Sequence, residues 1–156
     1  MSKETTMIRI KQLIFVLAAL LLVGRTPARA ADLSTALTDP YLRIHVSLAD
    51  DKMDGVTASA KAIGDQALQL GAKAQPIAKS AAKLAVAKDL NGARTAFGEL
   101  SDAMVAYAKA TGATFGPDIN LAVCPMVQKP WLQKGTKITN PYFGKSMLTC
   151  GDIKKS

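Results

Sequence analysis

Between residues 56 and 107, apolar side chains return at alternating steps of three and four. This spacing restricts the chain to helices that each bury one stripe. Val56, Ala60, Ile63, Ala67 and Leu70 form one line; Leu90, Ala93, Phe97, Leu100, Met104 and Tyr107 form another. Between them, Ile77, Ala81 and Leu84 follow Pro76, a residue suited to a first helical turn. Asp89 is placed to cap the last helix, and Gly71 and Gly112 supply stops. A shorter line, Tyr41, Ile44 and Leu48, follows Asp39-Pro40, which read as an N-cap and first helical residue. The acidic stretch Asp50 to Asp54 then suits the start of the next helix. Four amphipathic segments with short connections predict an all-α fold, an antiparallel four-helix bundle over residues 31–112.

The composition changes after Gly112. Residues 113–156 hold Pro117, Pro125, Pro130 and Pro141, the single Trp and both Cys. Leu121 to Cys124 reads as a short extended piece, since the residue before Pro125 is pushed toward β geometry. Asn140-Pro141-Tyr142-Phe143-Gly144 reads as a turn. The expectation is an irregular C-terminal cap with short extended segments. It would be anchored by Trp131, Tyr142, Phe143 and Leu148 and form one domain with the bundle.

Residues 1–30 have the layout of a secretory signal peptide. Lys3, Arg9 and Lys11 precede the apolar run Leu13 to Val23, and Ala28-Arg29-Ala30 offers a cleavage pattern. The apolar run is short for a membrane span, and no Cys follows it to carry a lipid. The chain is therefore expected in the bacterial periplasm, with no membrane span after cleavage. Removing residues 1–30 leaves 15 basic against 11 acidic residues, so the formal charge falls from +8 to +4. The remaining lysines are scattered with few aromatics among them, which gives no nucleic-acid footprint.

The residues that could carry chemistry are sulfur-bearing. Cys124 and Met126 lie two apart, and Met147 and Cys150 three apart. If the tail folds back on itself, four sulfur atoms meet, and soft sulfur ligands select Cu(I) or Ag(I) over hard cations. On an extended segment, Cys124 and Met126 would face the same way. His45 is the single histidine and a weaker fifth ligand candidate. The competing reading is a structural disulfide between Cys124 and Cys150. It would close about 27 residues, worth roughly 3.5 kcal/mol in the chain-entropy account, with both methionines as plain core. In that reading the protein is an interaction module that engages a partner through Trp131, Tyr142 and Phe143. A small-ligand pocket between bundle and cap is a third option. Motifs for haem attachment, dithiol redox chemistry, phosphate cradling, nucleophile elbows and zinc proteolysis are all missing from the sequence, so no enzymatic activity is expected.

Taken together, Cys124-Pro125-Met126, Trp131, Asn140-Pro141-Tyr142-Phe143-Gly144 and Met147-Leu148-x-Cys150-Gly151 resemble the tail of a periplasmic domain of unknown function. That domain occurs free-standing or appended to adaptor (membrane-fusion) subunits of copper/silver-type RND efflux pumps. Tyr41 to Asp51 is similar to its first helix and acidic turn, and Ala93-Arg94-x-x-Phe97-x-x-Leu100-Ser101 to its later helix. The likeness spans most of residues 40–152. It implies a free-standing version of the domain, linked to heavy-metal efflux or resistance. It also implies soft-metal binding at Cys124, Met126, Met147 and Cys150, with an efflux adaptor or another periplasmic protein as partner.

Overall fold

The structure is a computed structural model that describes residues 34–154. The expected signal peptide, residues 1–30, lies outside the described residues. Four helices follow one another: α1 (Asp39–Ala49), α2 (Val56–Gln69), α3 (Gln75–Ala85) and α4 (Leu90–Thr111). Three strands come after them: β1 (Ile119–Cys124), β2 (Lys129–Lys134) and β3 (Asp152–Ile153), in the sheet order β2-β1-β3.

The helical stripes lie where the spacing puts them. Val56, Ala60, Ile63 and Ala67 of α2, Ile77, Ala81 and Leu84 of α3, and Ala93, Phe97, Leu100 and Met104 of α4 are all fully buried. Asp89 caps α4, its side chain accepting the Gly92 N–H at 2.8 Å. Gly112 ends that helix in the left-handed conformation at φ +71°. The start of α1 differs from expectation. Thr38 already has helical angles (φ −68°, ψ −43°), because a wide helical turn over Ser34–Thr38 feeds directly into Asp39. Asp39 is thus the first residue of α1 and not its cap. Leu37 in that turn is fully buried and extends the core beyond α1.

The purely helical expectation is overturned by the sheet. β1 and β2 pair antiparallel over six residue pairs, from Ile119↔Lys134 to Cys124↔Lys129, and β3 joins the other edge of β1 at Ala122↔Ile153 and Val123↔Asp152. The fold of the described residues is a mixed one, four α-helices and then an antiparallel sheet. β2 hides from pattern reading because it does not alternate: Trp131, Leu132 and Gln133 are all buried in succession. Its Pro130 argues against a strand, yet β2 is an edge, where a missing ladder donor is tolerated.

Each helix packs on the next, and β2 lies against both α4 and α1. A single buried core runs through both halves of the chain, from Leu37 and Tyr41 through the helices to Ala122, Cys124, Trp131 and Tyr142. Among the described residues, no helix is long and apolar enough to cross a membrane.

Candidate functional site

Cys124 is the last residue of β1. On this strand Ala122 and Cys124 are fully buried while Leu121 and Val123 are half-buried, so the thiol shares the inward face with Ala122. Cys150 arrives from the other direction. Its backbone N–H donates to the Met147 carbonyl at 3.1 Å, which closes a turn. The fully buried Asn140 fixes that turn: its Nδ2 donates to the Cys150 carbonyl at 2.7 Å. The Asn140 N–H donates to the Leu148 carbonyl at 2.7 Å, and its Oδ1 accepts the Tyr142 N–H at 2.8 Å. After Gly151 the chain enters β3 and pairs with β1 at Val123. Cys150 is therefore delivered to the end of β1, where Asp152 pairs with Val123 and brings the thiol near that of Cys124.

Both cysteines are free thiols in this structure. Cys124 is buried, and Cys150 is partly exposed above it. Desolvation first, and then the neighbouring Cys124, push the Cys150 thiol above its ordinary range. The expected disulfide is thus not formed, although its two partners adjoin.

The other expected ligands divide. Met147 ends the short 3-10 turn Gly144–Ser146, half-buried and on the same turn as Cys150. Met126 does not share a strand face with Cys124. The extended segment stops at Cys124, and Met126 lies in the Pro125–Gln128 connection with 60% of its surface exposed. His45 is buried in α1, its Nε2 donating to the Thr139 carbonyl at 2.7 Å with the Thr139 hydroxyl at 3.2 Å. Burial lowers its pKa, only partly offset by the Thr139 carbonyl. Among the described residues no three His, Cys, Asp or Glu side chains gather into a metal-holding group, so His45 does not join the thiols.

The expected interaction surface is core instead. Trp131 is 0% exposed and Tyr142 8%, with Phe143 half-buried beside them. An aromatic chain explains this. Tyr41 and Phe97 ring centroids lie 4.8 Å apart, Phe97 and Tyr142 6.1 Å, and Tyr142 and Trp131 6.0 Å edge to face. The Trp131 indole N–H donates to Gln133 Oε1 at 2.9 Å, which makes a fully buried ring affordable in polar terms. These rings bind the cap to α1 and α4 and leave little to offer a partner.

Sequence reasoning missed the scaffold that aligns the thiols, namely Asn140, Arg94, Asp51 and Gly151. A signal existed for Asn140, since an Asx residue before Pro-Tyr often folds its side chain onto the backbone two residues on. Compared with protein-family models, curated proteins and solved structures, the chain has no match.

Proposed function

We propose that the protein is an exported, periplasmic carrier of a soft metal ion, Cu(I) or Ag(I), linked to heavy-metal efflux or resistance. The observation that carries this reading is the approach of Cys150 to Cys124, with Asp152 paired to Val123 and Gly151 against the Val123 carbonyl, one thiol buried and the other partly exposed. Two thiolates side by side are a donor set for a soft ion of low coordination number, and they would neutralise its charge. Met147, on the Cys150 turn, supplies a half-buried thioether. Met126 stands exposed beside the end of β1 and suits transfer rather than holding. The ion is cargo, and the reading assigns no catalysis to the chain. The link to efflux rests on the resemblance read from the tail motifs alone, which no family, curated or structural match accompanies.

A second reading rests on the same neighbourhood. In an oxidising compartment adjoining thiols form a bridge, and the protein is then a disulfide-fixed interaction module whose partner engages a surface other than the buried Trp131 and Tyr142. One experiment separates the two. Free thiols are counted on protein isolated from the periplasm, and the reduced protein is then titrated anaerobically with Cu(I) against a competing chelator. The carrier reading expects one ion per chain, lost in Cys124→Ser/Cys150→Ser and weakened in Met147→Leu. Binding that persists unchanged in the double serine variant sinks it. A pair isolated fully oxidised and resistant to mild reductant favours the module.

A further inference from the structure

A groove lies between α4 and β1, and neither cysteine lines it. The strand buries Ala122 and Cys124 on one face, yet its other face is also apolar: Ile119, Leu121 and Val123 are only half-buried. A strand with one face in the core ordinarily turns polar residues outward, so a half-covered apolar face needs an explanation.

Two cavities, of about 250 and 470 Å³, open over this face, and Val105, Lys109, Leu121 and Lys154 line both. Lys109 stands in the last turn of α4. Lys154 is fixed at the opposite wall, where its backbone N–H donates to the Leu121 carbonyl at 2.8 Å. Both lysines are exposed, and among the described residues the four ion pairs involve other side chains. The one carboxylate lining the larger cavity, Asp102, is held by Lys129 at 2.5 Å. Two unpaired ammonium groups thus flank an apolar floor of Val105 and Leu121, continued by Val123 in the larger cavity and by Ile119 and Phe115 in the smaller.

We infer that this groove binds a small amphipathic carboxylate, such as a medium-chain aliphatic acid. Its headgroup lies with Lys109 and Lys154, and its chain runs through the larger cavity over Val105, Leu121 and Val123. Ligand pockets are commonly about 300–1,000 Å³, mostly apolar with a few placed polar groups, and the larger cavity has that size and character. A partner helix would require a longer apolar trough than two small adjoining cavities provide.

The test is titration of the protein with decanoate below its micelle concentration, followed by amide chemical shifts and calorimetry. Decanol and an acidic amphipathic peptide serve as comparisons. Saturable 1:1 binding is expected, with shifts centred on Val105, Leu121 and Val123. Lys109→Glu/Lys154→Glu should weaken decanoate at least about tenfold, as losing charged hydrogen-bond donors does, and should change decanol much less. Both lysines are exposed, so an unchanged circular dichroism spectrum checks that this variant folds. Cys124→Ser/Cys150→Ser should bind decanoate as the wild type does, which separates this site from the ion site. Decanoate binding unaltered by the charge reversal overturns the inference, as does an absence of saturation or a clear preference for the peptide.

Discussion

The Arg94 guanidinium on α4 meets the Asp51 carboxylate at 2.5 Å, and this contact gathers three parts of the chain. The same Nη2 donates to the Leu48 carbonyl at 3.0 Å, near the end of α1, while Nε donates to the Pro141 carbonyl at 2.9 Å. Asp51 in turn accepts the Lys145 N–H at 3.2 Å. The Arg94 hydrogen bond, followed by that of Lys145, holds the Asp51 carboxyl below its usual pKa. Gly144 completes the arrangement at φ +55°, because a Cβ there would collide with both Asp51 and Arg94. Arg94 thus adds to the contacts of His45 and Phe97 that tie the segment leading to Cys150 to the helices.

Arg94→Met should therefore lower stability by about 2 kcal/mol, the cost of leaving partly buried carbonyl acceptors without their charged donor. Arg94→Lys should recover little, because a point ammonium lacks the fork that serves two carbonyls and a carboxylate together. Urea unfolding of the two variants measures this. Equal stability of Arg94→Lys and wild type would show that charge alone matters.

Gly151 makes a second prediction. Its φ is +144°, and a Cβ there would stand 2.5 Å from Trp131 Cη2 and 3.2 Å from the Val123 carbonyl oxygen. Gly151→Ala must push either the indole or the Cys150 turn aside. A loss of about 2–4 kcal/mol is expected from overpacking combined with backbone strain. The Trp131 emission should move to longer wavelength if the ring is displaced toward water, and the Cys150 thiol should react faster with a maleimide. An unaltered spectrum together with unaltered stability would refute the close approach.

These two residues also mark what a reader of the sequence could and could not see. The helices were legible because each buries one stripe at a fixed period, and Val56 to Ala67 or Ala93 to Met104 carry that period without interruption. The meeting of Cys124 with Cys150 was legible as an expectation, since the tail is short and its motifs pair one thiol with one thioether. The sheet was not. Trp131 and Leu132 are adjacent and both buried, because β2 lies against the helices on one side while its Trp131 face is covered by Gly151 and Tyr142. No period of two survives such double burial. The same cover turned Trp131 and Tyr142 from an expected docking surface into core. Met126 was misplaced for a related reason: the rule that residues two apart share a face holds only while the strand lasts, and β1 ends at Cys124.

His45 predicts a pH dependence. Burial lowers its pKa from 6.5, so the folded protein keeps the imidazole neutral where the unfolded chain takes up a proton. The stability tied to His45 is complete above about pH 6.5 and is lost as pH falls through the depressed folded value. Unfolding free energies at pH 7.5 and pH 5 should differ more for the wild type than for His45→Gln, which cannot be charged. If the substitution leaves the pH 5 to 7.5 slope unchanged, proton uptake at His45 is not its source.

Tyr41 offers the sharpest test of how the sheet is held to the helices. Its hydroxyl lies 2.6 Å from Ser101 Oγ, and Ser101 Oγ donates to the Phe97 carbonyl at 2.8 Å. The one Ser101 hydroxyl hydrogen is thereby committed, so Tyr41 must donate to Ser101. The Tyr41 oxygen then accepts the Leu132 N–H of β2 at 3.2 Å. Burial raises the Tyr41 pKa far above neutrality, so this relay stays uncharged. Tyr41→Phe keeps the ring on Phe97 but strands a buried backbone donor, at a cost of about 1–3 kcal/mol. Ser101→Ala should cost less, because Tyr41 can still accept from Leu132. In the double variant the two losses should fall short of adding, since either change alone already breaks the Tyr41–Ser101 bond. Amide exchange at Leu132 provides the residue-level check: it should quicken in Tyr41→Phe and stay slow in Ser101→Ala. The reverse order would mean that Leu132 is protected by something other than the tyrosine.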